Sequence, residues 1–100
     1  MKTIDASEFE KAVQSNTNVI IQFSADWCGP CKRLTPIVES FVEGRADVTA
    51  FKVDIGTQTD LATKYQVRSI PKLVFFRDGS ISNEKVGLVN ESKLQELIAE

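Results

Sequence analysis

The sequence predicts an α/β fold in the order βαβαβαββα, a central mixed sheet flanked by helices on both faces. Three observations carry this. Strand-length segments occupy 19–23, a nearly continuous β-branched apolar run, 48–55, which alternates, and 72–76, which is strongly apolar after Lys72. Between them, apolar residues recur at helical spacing. The third run leads at once into Asp78-Gly79, a pair that supplies the positive-φ positions of a tight hairpin. One hundred residues suit one modest core, so residues 1–100 are expected to form a single domain.

Lys2 to Ile4 reads as a short strand. Asp5 with Glu8 three residues on forms a capping-box pattern, and Phe9, Ala12 and Val13 follow on one face, so 6–15 reads as an amphipathic helix. Ser15-Asn16-Thr17-Asn18 is turn chemistry. Val19-Ile20-Ile21-Gln22-Phe23 is almost wholly apolar and predicts a central strand buried on both faces. Leu34, Ile37, Val38, Phe41 and Val42 mark a second helix that stops near Gly44, with Pro36 expected to kink it. Residues 48–55 alternate as a second core strand, and 60–65 suggests a short helix. Residues 72–76 form a third strand, and 82–86 is its more polar return after the turn at 77–80. Asn90 caps a last helix with Leu94, Leu97 and Ile98 on one stripe.

Composition narrows the chemistry. A net charge of −2 gives no electrostatic reason to expect nucleic acid or an anionic membrane as partner. The apolar runs are strand-length, too short to cross a bilayer. The start, Met1-Lys2-Thr3-Ile4-Asp5, lacks the apolar core of a secretion signal, so the reducing cytoplasm is the expected compartment. There is no His, which removes Ser–His and Cys–His nucleophile pairs. Two Cys without His fall short of the four ligands a zinc site wants, so no metal is expected.

The hexapeptide Trp27-Cys28-Gly29-Pro30-Cys31-Lys32 holds the only Trp and both Cys. Two thiols this close can close a small ring and reopen it. Cys28 falls where a strand ends and a helix begins, and there unpaired N–H groups and the helix dipole favour a negative sulfur. The thiolate is the attacking species in disulfide exchange. Cys31 lies one turn further in, placed to attack Cys28 in a mixed disulfide and expel the reduced substrate. Pro30 suits a helix start, and Gly29 lets a target backbone come close. A purely structural bond here would be a weak staple. Closing four residues contributes roughly 2 kcal/mol, against about 3 for a fifteen-residue loop. Redox cycling is therefore the expected role.

This motif matches the active site of the thioredoxin family letter for letter, and the chain resembles that family along essentially its whole length. Ile70-Pro71 ahead of a strand, Asp78-Gly79 and Val86-Gly87 fall where the family places them. The resemblance implies the thioredoxin fold and a general protein-disulfide reductant. Cys28 would be the nucleophile and Cys31 the resolving thiol. The redox-active Cys28–Cys31 disulfide would serve in place of any bound cofactor. The implied partners are a thioredoxin reductase and disulfide-containing proteins, and a monomer is expected. Pro71 would be a cis-proline facing the dithiol, exposing the Ile70 backbone for strand-like pairing with a target. Trp27, Gly29, Pro30, Ile70, Pro71 and Gly87 would form a flat apolar contact patch. Two other readings compete: a disulfide oxidase or isomerase on the same fold, and a non-redox binding subunit using the same patch.

The chain also departs from the family. Gln22 stands where a buried Asp is usual, and Lys52 matches the Lys that often accompanies that Asp. Gln cannot take a proton. Cys31 is therefore expected to lose its proton to water or to the leaving sulfur, with no carboxylate-like step. Gln22 and Lys52 are thus expected to tune the redox pair, along with Gly29 and Pro30. Ser24 replaces a frequent aromatic. Lys72 replaces a common Thr and reads as a solvated lysine at a strand edge.

Overall fold

The computed structural model describes residues 1–100 and has the predicted order of elements. The strands are β1 (Lys2–Thr3), β2 (Asn18–Ser24), β3 (Val48–Asp54), β4 (Lys72–Arg77) and β5 (Ser80–Val86). The helices are α1 (Ala6–Val13), α2 (Gly29–Val42), α3 (Thr59–Lys64) and α4 (Glu91–Ala99). The sheet runs β1-β3-β2-β4-β5, parallel between β1, β3 and β2 and antiparallel from β2 through β4 to β5.

Strand alternation sorts the core into two layers. Val19, Ile21 and Phe23 point to one face, where Phe9, Val13 and Leu61 of α1 and α3 meet them. Ile20 points to the other, with Leu34, Val38 and Phe41 of α2 and Leu94 and Leu97 of α4. β2 sits at the centre, buried from Val19 to Ser24, as its apolar run demands.

The local signals act as expected, with small shifts at element ends. Asp5 and Glu8 form the reciprocal capping box of α1, which ends at Val13 rather than at 15. The α2 helix runs uninterrupted through Pro36 and ends at Val42; Gly44 follows at φ +76°, where glycine is favoured. The return strand starts at Ser80, two residues earlier than expected, because Asp78 (φ 53°) and Gly79 (φ 86°) alone make the turn.

Lys72 corrects one reading. β4 lies between β2 and β5, so it is no edge. Lys72 is buried, its Nζ donating to the Tyr65 carbonyl at 2.8 Å and pairing with Glu84 Oε1 at 2.9 Å. A buried ammonium needs such partners. Tyr65 closes α3, whose carbonyl end favours a cation. The pair therefore fastens α3 to the β4–β5 hairpin. Lys72→Met keeps the stem and removes the ammonium; it is expected to cost about 1–2 kcal/mol in denaturant unfolding. The cost stays at this level because Glu84 is free to rehydrate.

Candidate active site

β2 ends at Ser24 and α2 begins at Gly29, so the connecting loop delivers Cys28 to the helix N-terminus. Cys28 is the N-cap of α2, and its Sγ accepts a hydrogen bond from the Cys31 N–H at 3.2 Å. Side-chain acceptors at this position satisfy an otherwise orphan donor, and here the acceptor is the sulfur. Cys28 and Cys31 form a disulfide, with Cα atoms 5.3 Å apart. Cys28 is 5% exposed and Cys31 2%, so both residues are nearly closed to solvent. Ala25, Ile55 and Ile70 pack around the pair.

The expected contact residues meet the pair unevenly. Trp27 is 77% exposed, far too open to be core. Gly29 and Pro30 are exposed, and a Cβ added at Gly29 would meet nothing within 4 Å. Gly29 is thus not required by strain; it leaves open space beside the sulfurs. The Ile70–Pro71 peptide is cis. Ile70 is half-buried, and neither its N–H nor its carbonyl has a partner within the chain. Pro71 is buried, leads into interior strand β4, and its carbonyl accepts from the Gly87 N–H at 2.8 Å. Gly87 adopts φ +102°, a conformation that favours glycine.

Gln22 lies under the first turn of α2 and is fully buried. Its Nε2 donates to the Cys31 carbonyl and to Thr35 Oγ1, each at 3.2 Å. Thr35 Oγ1 donates in turn to the Cys31 carbonyl at 3.1 Å. Gln22 Oε1 has no donor in the protein. Lys52 pairs with Gln22 in the β2–β3 register and is half-buried, with no ion-pair partner. The structure therefore brings both expected tuning residues beneath Cys31.

A cavity of about 210 Å³ adjoins this region. Cys31 and Thr35 line one side; Ser24, Lys52 and Asp54 line another. Sequence reasoning missed Thr35 and Asp54. Thr35 follows Cys31 by four residues on a helix, which places it on the same face. Asp54 follows Lys52 by two on a strand, with the same consequence.

Comparison with known proteins bears on this geometry. Residues 1–100 match the Thioredoxin family. The chain belongs to the thioredoxin family. It is 38% identical to a thioredoxin of Chlamydia trachomatis over 99 residues, covering 99% of this chain and 96% of the relative. Among solved structures, the Fasciola hepatica thioredoxin superposes with a TM-score of 0.87 at 34% identity, covering 99% of this chain and 97% of that one. A chain solved for the thiol resolving mechanism in yeast mitochondrial 1-Cys peroxiredoxin via glutathione/thioredoxin systems gives a TM-score of 0.84 at 27% identity, covering 97% and 93%. The chain is accordingly a protein-disulfide oxidoreductase, a dithiol–disulfide reductant of the thioredoxin type with a redox-active Cys28–Cys31 bond. Membership in the family implies disulfide-containing protein targets. No helix is long and apolar enough to cross a membrane.

Proposed function

We propose that Cys28 attacks the target disulfide and that Cys31 resolves the resulting mixed disulfide, within a single domain spanning residues 1–100. The observation that carries this is Cys28 at the N-cap of α2 with the Cys31 N–H on its sulfur. That hydrogen bond and the helix dipole favour the thiolate once the ring is reduced. The Cys28 thiolate forms a bond to one target sulfur, and the electron pair leaves on the other. Cys31, losing its proton, then attacks Cys28, and the target's remaining sulfur departs as thiolate. Two electrons pass to the target, and the ring is left oxidised.

For dithiols of the thioredoxin type a pKa near 7 is the general figure. Against an ordinary thiol at ~8.5, it raises the thiolate fraction at pH 7 roughly 15-fold. Lower intrinsic nucleophilicity takes back roughly 5-fold, leaving about threefold. The larger gain is that the same sulfur also leaves easily, which serves both halves of the exchange.

Target binding falls to the surface beside Cys28. Trp27, Gly29 and Pro30 offer an open face, Ile70 offers an unpaired backbone, and Pro71 and Gly87 hold that segment in place. A strand-like target segment fits this arrangement. Recharging requires an external dithiol donor, and a thioredoxin reductase is the partner of that chemistry. Working as a reductant calls for a reducing compartment, which favours the cytoplasm. Exposed large apolar side chains are confined to Trp27, Ile81, Val86 and Leu88, too few for an obligate interface, which favours a monomer.

Alkylation of the reduced protein tests the assignment. Followed by mass from about pH 5 to about pH 9, iodoacetamide is expected to label Cys28 before Cys31, with a midpoint clearly below ~8.5. Labelling of Cys28 no faster than a free thiol would overturn it.

A further inference from the structure

We propose that Asp54 receives, through water in the cavity behind Cys31, the proton that Cys31 loses when it resolves the mixed disulfide. This rests on the reading of Cys31 as the resolving thiol. Cys31 is 2% exposed, so its proton has no broad route to bulk solvent. The cavity it lines, of about 210 Å³, has room for several waters. Gln22, whose Nε2 donates to the Cys31 carbonyl and to the cavity-lining Thr35, keeps one buried oxygen, Oε1, without a protein donor under the same turn of α2. The sequence led to water or the leaving sulfur as the destination of this proton, with no carboxylate-like step; a carboxylate behind the water departs from that expectation.

Four charged groups face the cavity: Asp26 from the β2–α2 loop, Lys32 from α2, and Lys52 and Asp54 from β3. The lining residue from β1, Thr3, is neutral. Asp26 and Lys32 are exposed, whereas Lys52 and Asp54 are half-buried. Lys52 and Asp54 share the sheet face of Gln22 and Ser24, their partners in the β2–β3 register. Asp54 is held in place by the Gly56 N–H on its Oδ1 at 2.7 Å, and its Oδ2 has no protein donor. Asp54 is the half-buried carboxylate among the residues that line the cavity.

The step balances. The Cys31 sulfur bonds to the Cys28 sulfur, the bond between Cys28 and the target breaks, and its electron pair leaves on the target sulfur. The Cys31 proton passes to water and on to Asp54, which later releases it to solvent. Asp54 meets the reacting sulfur only through water, so it holds the proton and takes no part in the bond exchange.

Stopped-flow mixing of reduced protein with excess dithiobis-nitrobenzoate separates the two events. The first release of nitrothiolate reports attack by Cys28 and depends on reagent concentration. The second reports Cys31 and does not. Asp54→Asn is expected to leave the first phase unchanged, which also shows that the variant is folded. It is expected to slow the second by about tenfold or more at pH 6 and to make that phase rise steeply with pH. Asp54→Glu, which keeps a carboxylate on the wall, is expected to retain the wild-type profile. Matching second phases in wild type and Asp54→Asn would overturn the proposal. Equal slowing in Asp54→Glu would overturn it too, as would slowing in Asp26→Asn instead. Absence of a concentration-independent phase in the wild type would remove the dithiol reading itself.

Discussion

Cys28→Ser is expected to abolish protein-disulfide reduction, a fall of at least about a thousandfold in an insulin-turbidity assay with excess dithiol. The hydroxyl fits the N-cap as well as the sulfur does, so the helix start is expected to survive. What disappears is the thiolate, and with it both attack and departure. Cys31→Ser is expected to fail differently. Cys28 still attacks, but nothing resolves the adduct, so the variant accumulates as a covalent complex with its target. Non-reducing electrophoresis separates the two outcomes. The double variant settles the competing binding-subunit reading: retained function in the host would show that the contact surface acts without electron transfer. An oxidase or isomerase would favour forming bonds over breaking them, which a measured reduction potential distinguishes.

Gln22→Asp carries the largest expected effect on stability, about 3 kcal/mol at pH 7. The substitution removes the donors to the Cys31 carbonyl and Thr35 and places a carboxyl in a fully buried site. Burial raises such a pKa above its unfolded value of about 3.9. The sign follows by linkage. Below about pH 4 the carboxyl is neutral in both states, and the penalty is smallest. As pH rises, the unfolded state ionises first, and the penalty grows until pH passes the raised native pKa. Lys52, in register with position 22, offsets part of this. Denaturant unfolding of the two proteins at acid and neutral pH is therefore expected to diverge as pH increases. A constant gap would mean that Lys52 compensates the charge fully.

Most of the fold was legible because local and global preferences agree. The apolar run 19–23 has no stable alternative to a buried strand, and Asp78-Gly79 admits few turns. The placement of Cys28 followed from the strand-to-helix change alone. What remained hidden depends on strand order. Lys72 looks like a surface lysine until β5 is known to cover β4, and its carbonyl partner at Tyr65 comes from a separate element. The cavity arises from the register that sets Lys52 beside Gln22 and Asp54 beside Ser24, which no single segment encodes. The burial of Pro71 was not legible either, since burial is a property of the neighbours.

The second sulfur sits one helical turn from the first, held there by α2 and nearly sealed from solvent. A covalent adduct on Cys28 therefore shares its cage with a rival whose effective concentration no dissolved thiol can match. Capture is brief by construction. The protein is built to let go, and a client leaves repaired before the two partners can settle into a lasting embrace.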